Sequence, residues 1–119
     1  MSPAPTPHPY GILVVDDDER LAATLQELLV REGYAVEVAL SAAEATAILE
    51  RSPGIAVAIV DLIMPGTDGI SLMEELHRRD PELAVVVMTG YGTIETAVEA
   101  IKRGAEDYLT KPMDSHALR

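Results

Sequence analysis

From Tyr10 onward, short unbroken apolar runs alternate with longer segments whose apolar residues recur every three or four positions. Short runs suit strands and the longer period suits helices, so the pattern predicts a parallel sheet covered by helices, the α/β class. The predicted strands are Gly11 to Val15, Tyr34 to Ala39, Ile55 to Val60, Leu83 to Met88 and a shorter one ending at Thr110. Three of them read as continuous apolar stretches, as strands buried on both faces do. In the first helix Leu21, Leu25, Leu28 and Leu29 make a core stripe, and Gly33 stands where a left-handed residue would end it. Ser41 and Glu44 form a capping box opening a second helix through about Arg51, stopped by Pro53-Gly54. A third runs from about Ile70 to Arg79, before Asp80-Pro81. The fourth carries Ile94, Ala97, Val98 and Ile101 on one stripe expected to pack on the sheet, with Lys102 and Arg103 in its last turn. A fifth would follow Pro112 but has only Met113 to Arg119, about two turns, so the domain reads as truncated in its last helix. Residues 1–9 hold four prolines and read as a disordered or extended leader before one folding unit over 10–119.

Composition narrows the function. A chain of 119 residues with 48% apolar residues can bury about two thirds of its unfolded surface, so it needs no metal or disulfide in order to fold. With no cysteine, thiol catalysis, thiolate zinc sites and disulfides are excluded, which suits a cytoplasmic setting. A net charge of −11 is the wrong sign for direct contact with nucleic acid or an anionic membrane surface. No apolar run approaches the ~20 residues of a membrane span.

In open α/β sheets the functional crevice lies beyond the carboxyl ends of the strands. There the first strand runs into Asp16-Asp17-Asp18-Glu19, the third into Asp61, the fourth into Thr89-Gly90 and the fifth into Lys111-Pro112. Asp16, Asp17 and Asp61 against Lys111 leave two uncompensated negative charges, which one divalent cation would neutralise. Two carboxylates about 4 Å apart repel by ~4 kcal/mol at an effective dielectric near 20, so such a cluster takes up protons or metal. Few hard oxygen donors with coordination positions to spare suit Mg²⁺ better than a closed calcium cage. An exposed carboxylate with Mg²⁺, a hydroxyl and an ammonium is equipped for phosphoryl transfer, with Asp61 as nucleophile.

Ile12 to Glu19, Asp61-Leu62-Ile63-Met64-Pro65-Gly66-Thr67-Asp68-Gly69, Met88-Thr89-Gly90 and Tyr108-Leu109-Thr110-Lys111-Pro112 together resemble the CheY-like receiver domain of two-component response regulators, over about residues 11 to 113. The resemblance implies a doubly wound, flavodoxin-like sheet of order 2-1-3-4-5 with helices on both faces. It implies that Asp61 accepts a phosphoryl group from a sensor histidine kinase. Asp17, Asp61 and the backbone carbonyl of Ile63 would ligate Mg²⁺, with Asp16 acting largely through water. Thr89 and Lys111 would contact the phosphoryl oxygens, Gly90 would leave the approach open, and the Lys111-Pro112 peptide would be cis. Thr89 and Tyr108 would act as the switch, changing the surface of the fourth helix and fifth strand. The segment Thr89 to Val98 resembles receivers of nitrogen-regulatory, NtrC type, which precede an ATPase module and a DNA-binding module in transcriptional activators. Neither output module is in this sequence. A homodimer formed on phosphorylation is a further implied partner. Ile63 and Tyr91 flank the attack route, bulky where some family members carry polar residues that help water, so slow self-dephosphorylation is expected.

Plainer readings compete with these. Asp18 and Glu19 read as helix-start acids favoured by the helix dipole, and Asp68-Gly69 as turn chemistry. His8, His77 and His116 have no converging partner. A flavin-binding module shares the sheet, but its phosphate loop would be replaced here by Asp16-Asp17-Asp18, which repels phosphate. A magnesium-dependent phosphatase with an aspartyl nucleophile would want a second acid two residues on, and position 63 is Ile, which cannot protonate a leaving group. A receiver-like interaction domain that is never phosphorylated is disfavoured by the intact acidic pair, Asp61, Thr89 and Lys111.

Overall fold

The apolar runs become a five-stranded parallel sheet in the computed structural model, which describes residues 10–89 and 94–110. The chain forms β1 (Gly11–Val15), α1 (Glu19–Arg31), β2 (Ala35–Ala39), α2 (Ala42–Arg51), β3 (Ile55–Asp61), β4 (Ile63–Met64), β5 (Thr67–Asp68), α3 (Gly69–Arg79), β6 (Ala84–Thr89), α4 (Ile94–Lys102) and β7 (Asp107–Thr110). The sheet order is β2-β1-β3-β6-β7, which is 2-1-3-4-5 when sheet strands alone are counted. The antiparallel pair β4 and β5, two residues each, was not anticipated; it tightens the connection between β3 and α3. The leader 1–9 and the segment after Pro112 lie outside the described residues.

The two faces of the sheet carry separate cores. Leu13 and Val15 of β1 pack with Ala45, Ile48 and Leu49 of α2, Leu72, Met73 and Leu76 of α3, and Ala100 of α4. Ile12 and Val14 face the other way, toward Ala22 and Leu25 of α1. Helices therefore lie on both faces, and β1 and β3 are nearly continuous runs of buried residues, as their sequences predict. Each of the valine, leucine, isoleucine and methionine side chains taken fully out of water contributes about 1.5–3 kcal/mol.

Capping chemistry sets the helix starts. Asp18 accepts from the backbone N–H groups of Arg20 and Leu21 at 3.1 and 3.2 Å, and Ser41 accepts from Glu44 at 3.2 Å. The Glu44 carboxylate reaches back to the Leu40 N–H at 3.3 Å, one residue before the position an ideal capping box would use. Gly33, at φ 97°, takes the left-handed conformation past the end of α1.

Two helix faces differ from expectation. In α1 the expected stripe holds in part: Leu25 is enclosed and Leu29 packs against the core, while Leu21 and Leu28 are only half-buried and Ala22 is enclosed in their place. In α4 the residues against the sheet are Ala97 and Ala100, and Val98 and Ile101 are exposed. At 100° per residue Ala97 and Ala100 bracket one narrow face, and Val98 lies about 100° round from Ala97. The small residues bring the helix close to the strand, which leaves the larger ones at its flank.

Candidate functional site

Parallel pairing of β1 with β3 puts Val15 beside Val60, so the next residues, Asp16 and Asp61, emerge from neighbouring strands at one level. This is where the sheet order reverses: β2 continues from β1 on one side and β3 lies on the other, with α1 and α2 on opposite faces. Asp16 is tied down by its own N–H, which donates to the Ala39 carbonyl at 3.0 Å, and its Oδ1 accepts from the Asp18 N–H at 2.9 Å. Asp61 is fixed in the same way. The Leu62 N–H donates to the Met88 carbonyl at 3.0 Å, and Asp61 Oδ1 accepts from the Ile63 N–H at 3.0 Å.

One carboxylate oxygen from each of Asp16, Asp17 and Asp61 lies within 4.8 Å of the others. Asp16 and Asp61 are 0% and 2% exposed, whereas Asp17 is open to solvent. Asp61, expected as an exposed carboxylate, is thus almost wholly buried. At 4.8 Å and an effective dielectric near 20, each charge pair repels by about 3.5 kcal/mol, less where Asp17 is screened by water. Three hard oxygen donors with two of their residues buried fit a small divalent cation, which would remove that repulsion.

Of the other predicted residues, Thr89 is the last residue of β6, one step beyond Met88, the register partner of Asp61, and its backbone pairs with Thr110 of β7. Tyr108 sits on β7 opposite Val87 and is 44% exposed. Gly90, Tyr91, Lys111 and the Lys111-Pro112 peptide lie outside the described residues. His77 bonds through Nε2 to the Leu83 carbonyl at 3.1 Å, a structural contact at the far end of α3.

Two neighbours of Asp61 carry more than the turn chemistry read from the sequence. Asp68 caps α3, accepting from the Ile70 N–H and the Ser71 hydroxyl, each at 3.0 Å. Gly69 lies against the backbone just after the acceptor: a Cβ there would stand 2.4 Å from Leu62 Cα and 2.9 Å from the Asp61 carbonyl oxygen. The Asp-Gly pair before a helical period was the only signal, and it does not distinguish a turn from close packing.

The sequence profile of the response regulator receiver domain matches residues 12–119. The chain belongs to that family. It is 44% identical over 106 residues to the photosynthetic apparatus regulatory protein RegA of Cereibacter sphaeroides, covering 89% of this chain and 57% of that protein. It is 35% identical to NtrX from Brucella abortus, solved in complex with ADP, with a TM-score of 0.85 over 93% of this chain and 25% of that one. A response regulator from Burkholderia pseudomallei, solved with a phosphorylated aspartic acid, calcium ion and citrate, is 38% identical with a TM-score of 0.80, over 92% of this chain and 64% of that one. The chain therefore spans a little over half the length of RegA and a quarter of NtrX. The NtrX likeness is consistent with a receiver of NtrC type. As a receiver domain, the chain is a unit of phosphorylation-dependent signalling rather than a metabolic enzyme. Among the described residues no helix is long and apolar enough to cross a membrane.

Proposed function

We propose that this receiver takes a phosphoryl group from a sensor histidine kinase onto Asp61, in the cytoplasm, and passes the signal to an output module that controls transcription. The observation that carries this reading is the meeting of Asp16, Asp17 and Asp61 within 4.8 Å, at the rim where β1 and β3 part. In the transfer a carboxylate oxygen of Asp61 attacks phosphorus as the bond from phosphorus to the kinase imidazole breaks, and the imidazole nitrogen keeps the electron pair. Asp17, Asp61 and the Ile63 carbonyl would hold Mg²⁺, with Asp16 acting largely through water. The ion, when bound, neutralises charge on the carboxylates and the incoming group. Thr89 and Lys111 contact the phosphoryl oxygens, Gly90 keeps the approach open, and Ile63 and Tyr91 border it. The Ile63 N–H holds one oxygen of Asp61 at 3.0 Å and so orients the carboxylate before transfer.

Phosphorylation changes the charge at Asp61 by about one unit and adds acceptor oxygens. Thr89 moves toward them, Tyr108 enters the space released, and the surface of α4 and β7 changes, favouring a homodimer or an altered contact with the output module. Exposed Val98, Ile101 and Tyr108 support this, because a surface rich in uncovered apolar side chains is one whose rearrangement a partner can sense. The test is phosphotransfer from acetyl phosphate with Mg²⁺, followed by intact mass. One phosphoryl group should be gained, and lost in Asp61→Ala. A gain that survives in Asp61→Ala puts the acceptor elsewhere.

A further inference from the structure

At the end of the sheet opposite the carboxylates, a cleft of about 350 Å³ opens beside the first residues of β1 and β2 and the loop leaving α2. Gly11, Ala35 and Ile55, register partners across three strands, give it an apolar side, and Tyr10, Glu37 and Gly54 also line it. The Tyr10 ring is held by Tyr34, with centroids 6.0 Å apart, yet stays 39% exposed. A fixed aromatic ring beside a short apolar strip is the surface that polyproline segments recognise, because such a segment has little conformational entropy to lose and presents flat rings.

This chain carries such a segment, and it ends at the cleft. Ser2 to Pro9 has prolines at positions 3, 5, 7 and 9 and joins the fold at Tyr10, where the backbone bends. At 3.1 Å per residue, Pro7 to Pro9 spans about 9 Å, against a cleft about 7 Å on a side if taken as a cube. Residues 1–9 hold no Asp, Glu, Lys or Arg, so the leader brings no charge against Glu37, which borders the cleft and is already paired with Arg51 at 3.2 Å. We propose that the proline-rich leader folds back onto this cleft of its own chain, with proline rings against Tyr10 and the strip formed by Gly11, Ala35 and Ile55. Docking there fixes the N-terminal segment at the base of the domain, away from the acceptor end, and does not depend on phosphorylation.

The test is proton NMR on the full chain. Nuclear Overhauser contacts are expected from the ring protons of Pro3, Pro5 and Pro7, which are not chain neighbours of Tyr10, to the Tyr10 ring and the Ala35 methyl, unchanged on tenfold dilution. Ala35→Leu fills the cleft from an exposed edge-strand position and should weaken the contacts to Tyr10 at least fivefold. Pro7→Ser with Pro9→Ser, which touches no strand, should do the same while the amide spectrum of the sheet stays in place. Pro3, Pro5 and Pro7 without contacts to either residue overturn the proposal. Contacts that fade on dilution also overturn it, since the leader would then lie on a second copy.

Discussion

Replacing Gly69 with Ala tests whether the loop after Asp61 is held by close packing. At an ordinary helix position the change would stabilise by about 0.5–1 kcal/mol, because Gly loses more backbone freedom on folding. Here the added Cβ would lie 2.4 Å from Leu62 Cα, 2.8 Å from the Leu62 carbonyl oxygen and 2.9 Å from that of Asp61. All three atoms are backbone, so no side chain can swing aside, and reaching 3.4 Å from Leu62 Cα takes about 1 Å of movement between α3 and the end of β3. With three backbone atoms closer than 3.0 Å, the cost lies in the upper part of the about 1–3 kcal/mol range for overpacking, about 2–3 kcal/mol, so after the entropic gain the net expectation is a loss of about 1–2 kcal/mol. At roughly 4 °C per kcal/mol for a domain of this size, the melting temperature falls by about 4–8 °C. A shift of that size beside the nucleophile should also slow phosphorylation by acetyl phosphate about 10- to 100-fold at temperatures where the variant is folded. Gly54→Ala, with nothing within 4 Å of the new Cβ, is the control and should stay within about 0.5 kcal/mol of the parent. If Gly69→Ala melts at or above the parent temperature, the close packing inferred at Asp61 is wrong.

Other perturbations follow from the same contacts. Asp68→Ala removes the cap from α3 and should lower stability by about 1 kcal/mol in urea unfolding, with little change in denaturant slope. The Arg78 and Arg79 guanidiniums hold the Glu75 carboxyl below its ordinary value of 4.5, so its contribution is present above that pH and disappears as pH falls through the lowered folded-state value. The stability gap between parent and Glu75→Gln should therefore be open at neutral pH and close in acid; a gap that widens in acid contradicts the assigned sign. Mg²⁺ at about 100 times its dissociation constant should raise stability by about 2.7 kcal/mol over a chelated sample, and Asp17→Asn should erase most of that rise in a calorimetric scan. Ile63→Asn with Tyr91→Glu should speed loss of the acyl phosphate, timed by mass after donor removal; an unchanged lifetime would argue against those side chains shielding it from water.

Periodicity and punctuation were enough to read the architecture. Apolar runs such as Gly11 to Val15 and Ile55 to Val60 are strands because no other short element buries both faces, and Asp18, Ser41 and Gly33 stop or start helices by backbone chemistry that acts within a few residues. The same local rules placed Asp16, Asp17 and Asp61 at strand ends. What they could not supply was distance across the fold. Pairing of β1 with β3 brings residues 45 positions apart in the chain to within 4.8 Å, and burial of Asp16 and Asp61 beside exposed Asp17 follows from loops that meet only once the sheet has formed. Gly69 escaped for the same reason, since a close approach between two backbones leaves no periodic trace, and in α4 the expected stripe included Ala97 but held Val98 and Ile101 where the fold uses Ala100. Local free energies are written residue by residue in the sequence, whereas convergence of charge and closeness of packing belong to pairs of segments and exist only in the folded chain.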